Sequence, residues 1–418
     1  MPVSRQLRAS LALLRTGKFG TFWFATLLSN IGTWAQEIAE PWLLLSLGAS
    51  PFLVGLDAFV GDAPAWLFTL AGGVLADHRD RRKVIMICQS LQMLCPIALV
   101  IALLTGSVVA WLVIALSFIV GMTDALSMPS YQSIVPSIVA PSQIGSGLAL
   151  SSTQYNLSRI LGPAVAGWLI ATVGVVGCFA VNTLSYIPFI AVALWILPRR
   201  EAKPRPRFDR SHPLAGMKAI LKEPHLRGAL MVVFATSLLS GPLITFIPVL
   251  IRDAFARGAG GYSFVLAAFG AGGLLGAAVL LGSNPARDRR KLASWCAIGH
   301  GVIVIAAALD PWFYALPALV LLGGLAMTTS NTSANTLIQS TAEPALRGQT
   351  VSIYMLAIRG GMALGSLATG ITVSVLGVRT ALVIDGCLAV VVQLVLSRVW
   401  LGCRLPPAEP TSPGVTVG

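Results

Sequence analysis

The pentapeptide RDRRK occurs twice, at 79–83 and at 287–291, each time between two long apolar runs. A second register relates the same two regions at an offset of 203 residues. It pairs Pro141 with Pro344, Gly145 with Gly348, Leu161 with Leu364, Gly162 with Gly365 and Gly167 with Gly370. The chain therefore reads as one unit written twice, in the same direction. Between the copies lies its only long polar interruption, rich in Pro and Arg.

Working outward from the pentapeptides, the flanking runs are membrane spans. Of the 418 residues, 56% are hydrophobic and only 11% charged, against about 25% charged in a soluble domain. Crossing a bilayer takes about 20 apolar residues. Twelve runs qualify, at roughly 20–46, 52–76, 84–105, 108–129, 146–171, 174–197, 227–251, 261–283, 291–309, 312–335, 348–373 and 379–401. The first is too long for a cleavable signal peptide, is interrupted by Glu37 and Glu40, and lacks a small-residue cleavage site. The expected fold is an all-α integral membrane protein with twelve transmembrane helices in two pseudo-symmetric six-helix halves. Residues 1–197 and 227–405 form the halves, 198–226 a basic cytoplasmic linker and 406–418 a flexible tail.

The formal charge of +13 does not call for a nucleic-acid partner. With both termini cytoplasmic, 24 of the 29 Lys and Arg residues fall in cytoplasmic segments, nine of them between Arg199 and Arg227. This is the positive-inside bias, which fixes orientation and explains the basic charge without a polyanionic partner. The six cysteines lie in or at the ends of spans and form no C-x-x-C or Cys/His metal pattern. No cofactor or metal is expected. Four scattered histidines (78, 212, 225, 300) make no catalytic constellation. GAGGLLG (270–276) lies inside an apolar span and reads as close helix packing, not as a dinucleotide fingerprint. No Walker motif supplies ATP. An enzyme is not expected.

The segment GGVLADHRDRRKV (72–84) resembles the loop 2–3 motif of the major facilitator superfamily. Gly73, Leu75, Asp77, Arg81 and Arg82 match, whereas His78 and Asp80 depart from it. Asp80 followed by two arginines is similar to the bacterial branch of enterobactin exporters and macrolide efflux pumps. Gly162, Pro163 and Gly167 resemble the antiporter motif of helix 5 in that superfamily. The resemblance implies a secondary transporter whose helices 1, 4, 7 and 10 line a central cavity. It also implies that Gly73, Asp77, Arg81 and Arg82 form a latch closing the cytoplasmic side. In the second copy Pro285 stands where Asp77 stands in the first, so such a latch is asymmetric.

Several polar residues inside the spans need partners, because a charge at the bilayer centre costs ~3 kcal/mol on insertion scales. On span 1, Ser29, Asn30, Thr33, Gln36, Glu37 and Glu40 share an arc of roughly 120°. That arc must face protein or water. Glu37 and Glu40 are proton-carrier candidates, with an ion pair or water contact at the outer mouth as the other reading of Glu40. Asp62 is a weaker coupling candidate, and Asp57 reads as interfacial. Asp124 suits either the cavity or a helix-end contact to cytoplasmic arginines. Asn331 and Asn335 on span 10 suit either substrate binding or cross-helix hydrogen bonding. Arg159 and Arg359 place one arginine in each half near mid-membrane. They either bind an anionic or electron-rich substrate through their forked donors or pair with Glu37, Asp62 or carbonyls of the facing half. The expected activity is proton-coupled export of an amphipathic drug, macrolide or siderophore by a chain acting as a monomer. Import of a small organic anion is the alternative.

Overall fold

The computed structural model describes residues 12–140, 143–197, 220–282, 288–342 and 347–402. The linker residues 198–219 and the tail 403–418 lie outside the described residues, as do the side chains of Asp77 and Arg159. Among the described residues there is no strand.

The N-terminal half of the chain comprises α1 (Gly17–Ser46), α2 (Pro51–Asp62), α3 (Pro64–His78), α4 (Arg81–Leu104), α5 (Ala110–Gln132), the short α6 (Ile134–Ile138), α7 (Ile144–Thr172) and α8 (Val175–Ile196). The C-terminal half begins with α9 (Pro224–Ala235), which runs through a π turn (Thr236–Ser240) into α10 (Pro242–Val249) and a second π turn (Leu250–Ala254). It continues as α11 (Ala259–Gly282), α12 (Arg289–Leu309), α13 (Leu316–Thr341), α14 (Arg347–Leu376) and α15 (Val378–Gly402). Helix begins before the expected boundary at 227, and Ile220 and Leu226 are already buried.

Among the described residues, nine helices are long and apolar enough to cross a membrane, so the chain is a multi-pass membrane protein. The helices α1, α7 and α13 are not among them, although their 30, 29 and 26 residues give ample length. They carry the polar runs SNIGTWAQEIAE, SSTQYNLSR and TTSNTSANT. Such helices need protein or water on one side.

Local geometry repeats with the sequence. Asp80 caps α4 by accepting from the Arg82 amide at 2.9 Å, and Asp288 caps α12 by accepting from the Arg290 amide at 3.0 Å. These caps belong to the two RDRRK copies, so the pentapeptide is a helix start as well as a charge cluster. Gly174 and Gly377, 203 residues apart, both turn the chain with positive φ, +84° and +80°. That conformation strains any residue with a Cβ.

The apolar core is divided unevenly. At the end of the bundle where α1 begins, Phe19, Ile85, Ile134, Phe189 and Ile196 form a cluster drawn only from the N-terminal half. At the same end Leu226, Ala229, Ala293, Ile338 and Trp400 form another drawn only from the C-terminal half. At the opposite, distal end a single cluster joins Leu43, Leu44 and Leu45 of α1 to Leu243, Phe246 and Ile247 of α10 and Tyr262 of α11. The halves thus share a dry core distally and keep separate cores at the end where the chain starts.

Candidate functional site

Glycines set the approach of the helices that position the charged groups. A Cβ on Gly162 would run into Trp34 of α1, and one on Gly365 would run into the Leu238 carbonyl in the first π turn. A Cβ on Gly167 would stand 2.9 Å from Ser263 Cβ of α11, and one on Gly370 would stand 3.2 Å from Gly55 Cα of α2. Residues paired by the repeat therefore pack corresponding seams, α7 on α11 and α14 on α2. Pro163 is buried within α7. Gly73 has nothing within 4 Å of its Cβ position, and Arg81 and Arg82 are half-buried. Asp77, the acid of the expected latch, has its side chain outside the described residues.

At the α2–α14 seam one arginine meets two acids of the other half. Arg359 Nη1 stands 2.8 Å from Asp124 Oδ2 on α5 and 3.9 Å from Asp62 Oδ1 at the end of α2. The three side chains are 31%, 32% and 33% exposed, so the cluster is open to solvent on one side while anchored in the seam. Glu37 on α1 and Tyr155 on α7 also act on the guanidinium. Tyr155 packs edge-on against Trp34, 6.1 Å between ring centroids. A guanidinium donates several N–H groups from one planar fork, so it can hold two carboxylates at once. Asp124 thus points across the seam and not toward a helix end. Of the partners expected for Arg359, Asp62 is present at the longer distance, and the nearer one is Asp124.

The stripe on α1 divides into two groups. Glu37 is exposed, while Asn30 and Thr33 are half-buried, Thr33 donating to the Ser29 carbonyl at 3.1 Å. Gln36 is buried and committed inside the N-terminal half: it accepts from Asn182 of α8 at 2.6 Å and donates to Glu40 at 2.8 Å. Ser185 donates to Asn182 at 3.2 Å and fixes the end of this relay. Asp57 corrects the interfacial expectation, because it is only 5% exposed. The cause is tertiary: α14 covers α2 so closely that a Cβ on Gly55 would meet the Ser366 carbonyl.

On α13, Asn331 is buried with its Oδ1 unpartnered, while Asn335 accepts from Gln339 at 3.1 Å. Asn182 was missed by the sequence reading, although a lone amide in so apolar a helix was a usable signal. At the distal end Tyr262 donates to the Ile38 carbonyl at 2.9 Å and stacks on Trp42, 5.4 Å between centroids. Arg252 donates to the Leu45 carbonyl at 3.1 Å. These contacts bind α1 to the C-terminal half. No group of His, Cys, Asp and Glu among the described residues could hold a metal ion.

The chain is 22% identical to macrolide efflux protein A of Streptococcus pyogenes, over 90% of this chain and 95% of the relative. It is 24% identical to an enterobactin exporter of Shigella boydii, over 86% of each chain. Its backbone superposes on a bacterial homologue of the human lysosomal transporter Spinster, in an inward-facing and occupied conformation. The TM-score is 0.71 at 16% identity, covering 93% of this chain and 98% of that one. The family described as transmembrane secretion effector matches residues 8–412. The chain belongs to that family of major facilitator superfamily transporters and is not an enzyme.

Proposed function

We propose that the protein is a proton-coupled secondary transporter exporting an amphipathic small molecule, of the drug, macrolide or siderophore type, across the bacterial inner membrane. Two six-helix halves, 1–197 and 227–405, work by alternating access as a monomer around a central cavity, with linker 198–226 and both termini cytoplasmic. The reading is carried by the Arg359–Asp124–Asp62 cluster, which ties the halves together through charge near mid-membrane. Protonation of an acid removes a partner from Arg359 and weakens the tie, so proton binding alters the stability of one docking of the halves relative to the other. Glu37, on the exposed side of the cluster, is a proton carrier in this scheme. Asn30, Thr33, Asn331 and Asn335 supply polar contacts for the cargo, and Gly162, Pro163 and Gly167 keep the α7 seam close. Gly73, Asp77, Arg81 and Arg82 latch the cytoplasmic side in the opposite state.

The divided core supports a cavity open toward the cytoplasm, the state in which an exporter loads. The roles of the macrolide and enterobactin relatives support export over import. The test uses inverted vesicles and a radiolabelled macrolide. Uptake should require an imposed proton gradient, collapse with an ionophore, and be lost in Asp124→Asn and Glu37→Gln while binding persists. Wild-type uptake indifferent to the gradient would overturn proton coupling.

A further inference from the structure

A second pair of acids lies in the N-terminal half, away from the Arg359 seam. Asp57 is six residues into α2 and Glu40 six residues before the end of α1, so both sit beneath the distal closure. Asp57 is 5% exposed and its Oδ1 has no hydrogen-bond partner. The Ser117 hydroxyl on α5 faces it, and its charge acts on Glu40. Glu40 is held by the Gln36 amide at 2.8 Å, itself fixed by Asn182 of α8, and also feels Glu37 on its own helix. The Glu40 charge also acts on the Cys95 thiol of α4, which donates to the Leu91 carbonyl at 3.3 Å. From α11 the facing group is the Tyr262 hydroxyl, which is committed to the Ile38 carbonyl. Among the described residues no basic side chain acts on either carboxyl, and the Arg159 side chain lies outside them.

Two ionised carboxyls placed this way repel each other, and a buried charge without a counter-ion is costly. A bound cation relieves both. A hard metal ion takes about six or more oxygens, but the Gln36 amide turns hydrogens toward the pair. A proton needs only one carboxyl oxygen, and Asp57 Oδ1 is open. We propose that Glu40 and Asp57 form a second proton-carrying site, separate from the Arg359 seam, that controls the distal closure. The turns of α1 on either side of Glu40 carry the closure itself: Ile38 accepts from Tyr262, Trp42 stacks on it, and Leu45 accepts from Arg252. Proton loss sets α1 against α2 and disturbs those contacts, whereas proton binding lets them seat. This inference rests on the reading of the chain as a proton-driven exporter.

The test needs no cargo. The full chain, with native cysteines replaced, is reconstituted in lipid with spin labels at Ser50→Cys and Gly258→Cys, one on each side of the distal closure. The separation between labels is measured against pH. It should lengthen as pH rises in the parent protein, and Asp57→Asn should hold it short throughout. Infrared spectra should show a protonated-carboxyl band in the parent that is lost in Asp57→Asn. Should Asp57→Asn fail to fold, Glu40→Gln, on a half-buried side chain, must give the same pH-blind closure. A full pH response in the folded variant, or none in the parent, overturns the proposal. Gradient-driven macrolide uptake with a pH-blind distal separation would sink this site alone. A pH-responsive separation without gradient-driven uptake would sink the exporter reading alone.

Discussion

The two seams joining the halves are related by the repeat yet made of different chemistry. At α7–α11, Gly167 lies against Ser263, whose hydroxyl is spent on the Ala259 carbonyl of its own helix at 2.9 Å. At α2–α14, the glycine contact of Gly55 with Gly370 is followed along the seam by Arg359 and its two acids. Close packing of small residues is indifferent to pH, whereas a charge pair responds to protons. In the proposed scheme the charged seam is the one that proton binding sets, and the described contacts of the other serve as its neutral pivot.

The largest break of that contrast is Arg359→Ala, which strands Asp124 and Asp62. A fully buried pair loses ~3–5 kcal/mol when one partner is removed, and for side chains about a third exposed the low end applies, about 3 kcal/mol. Unfolding in detergent should show this loss, and Asp124→Asn in the same background should return part of it. A loss near zero would mean that the seam stands without its charges.

A smaller effect separates the seams sterically. Overpacking typically costs ~1–3 kcal/mol. Gly55→Ala should fall at the upper end because its Cβ meets the Ser366 backbone carbonyl, which cannot turn aside. Gly167→Ala meets the Ser263 Cβ at 2.9 Å and the Ser263 carbonyl oxygen no closer than 3.4 Å, and should cost less. Equal melting temperatures for the two variants would contradict the ranking.

The smallest effect compares the two RDRRK copies. Asp288 binds the Arg290 guanidinium at 3.0 Å as well as its amide, and that guanidinium also donates to the Trp400 carbonyl at 3.4 Å. Burial works to raise the Asp288 carboxyl, but the bonds from Arg290 prevail and hold it below its ordinary 3.8. A carboxyl lowered by folding contributes stability that is present above its unfolded value and is lost as pH falls through the folded one. Asp288→Ala should thus cost about 1 kcal/mol at neutral pH, and the gap from wild type should narrow below pH 3.8. Asp80→Ala, which among the described contacts removes the cap on the Arg82 amide and no guanidinium bond, should cost less. Thermal unfolding of both variants across pH decides it.

How much of this could be read in advance follows from what each signal depends on. Apolar runs and the repeat are local properties, so the long helices were legible, whereas the caps at Asp80 and Asp288 came from the structure. That Arg359 needs compensation was legible too, since a membrane charge must be offset, but an acid and an anionic substrate both stayed open. Which acid it finds was not legible, because that depends on how α14 docks across the other half and on the rotation of α5. Asp57 misled for the same reason. Six residues from a helix end suggests an interface, but α14 covers that end. Gln36 looked like a cavity residue by its arc, and only the position of Asn182 on α8 shows it turned inward.

The path from α9 through α10 contains two π turns, at Thr236–Ser240 and Leu250–Ala254, the first closed by the Gly241 amide donating to the Thr236 carbonyl at 2.9 Å. A π turn stores one residue more than an α turn needs, and the surplus can migrate along a helix by exchanging one hydrogen bond at a time. In hydrocarbon, where a broken turn would leave bare amides and carbonyls, migration is a way to rotate a segment without opening it. The eight residues of α10 sit between two such reserves. Their side chains include part of the distal core, and Pro248 among them has no amide hydrogen, so a change of register at either π turn re-aims the segment as one piece.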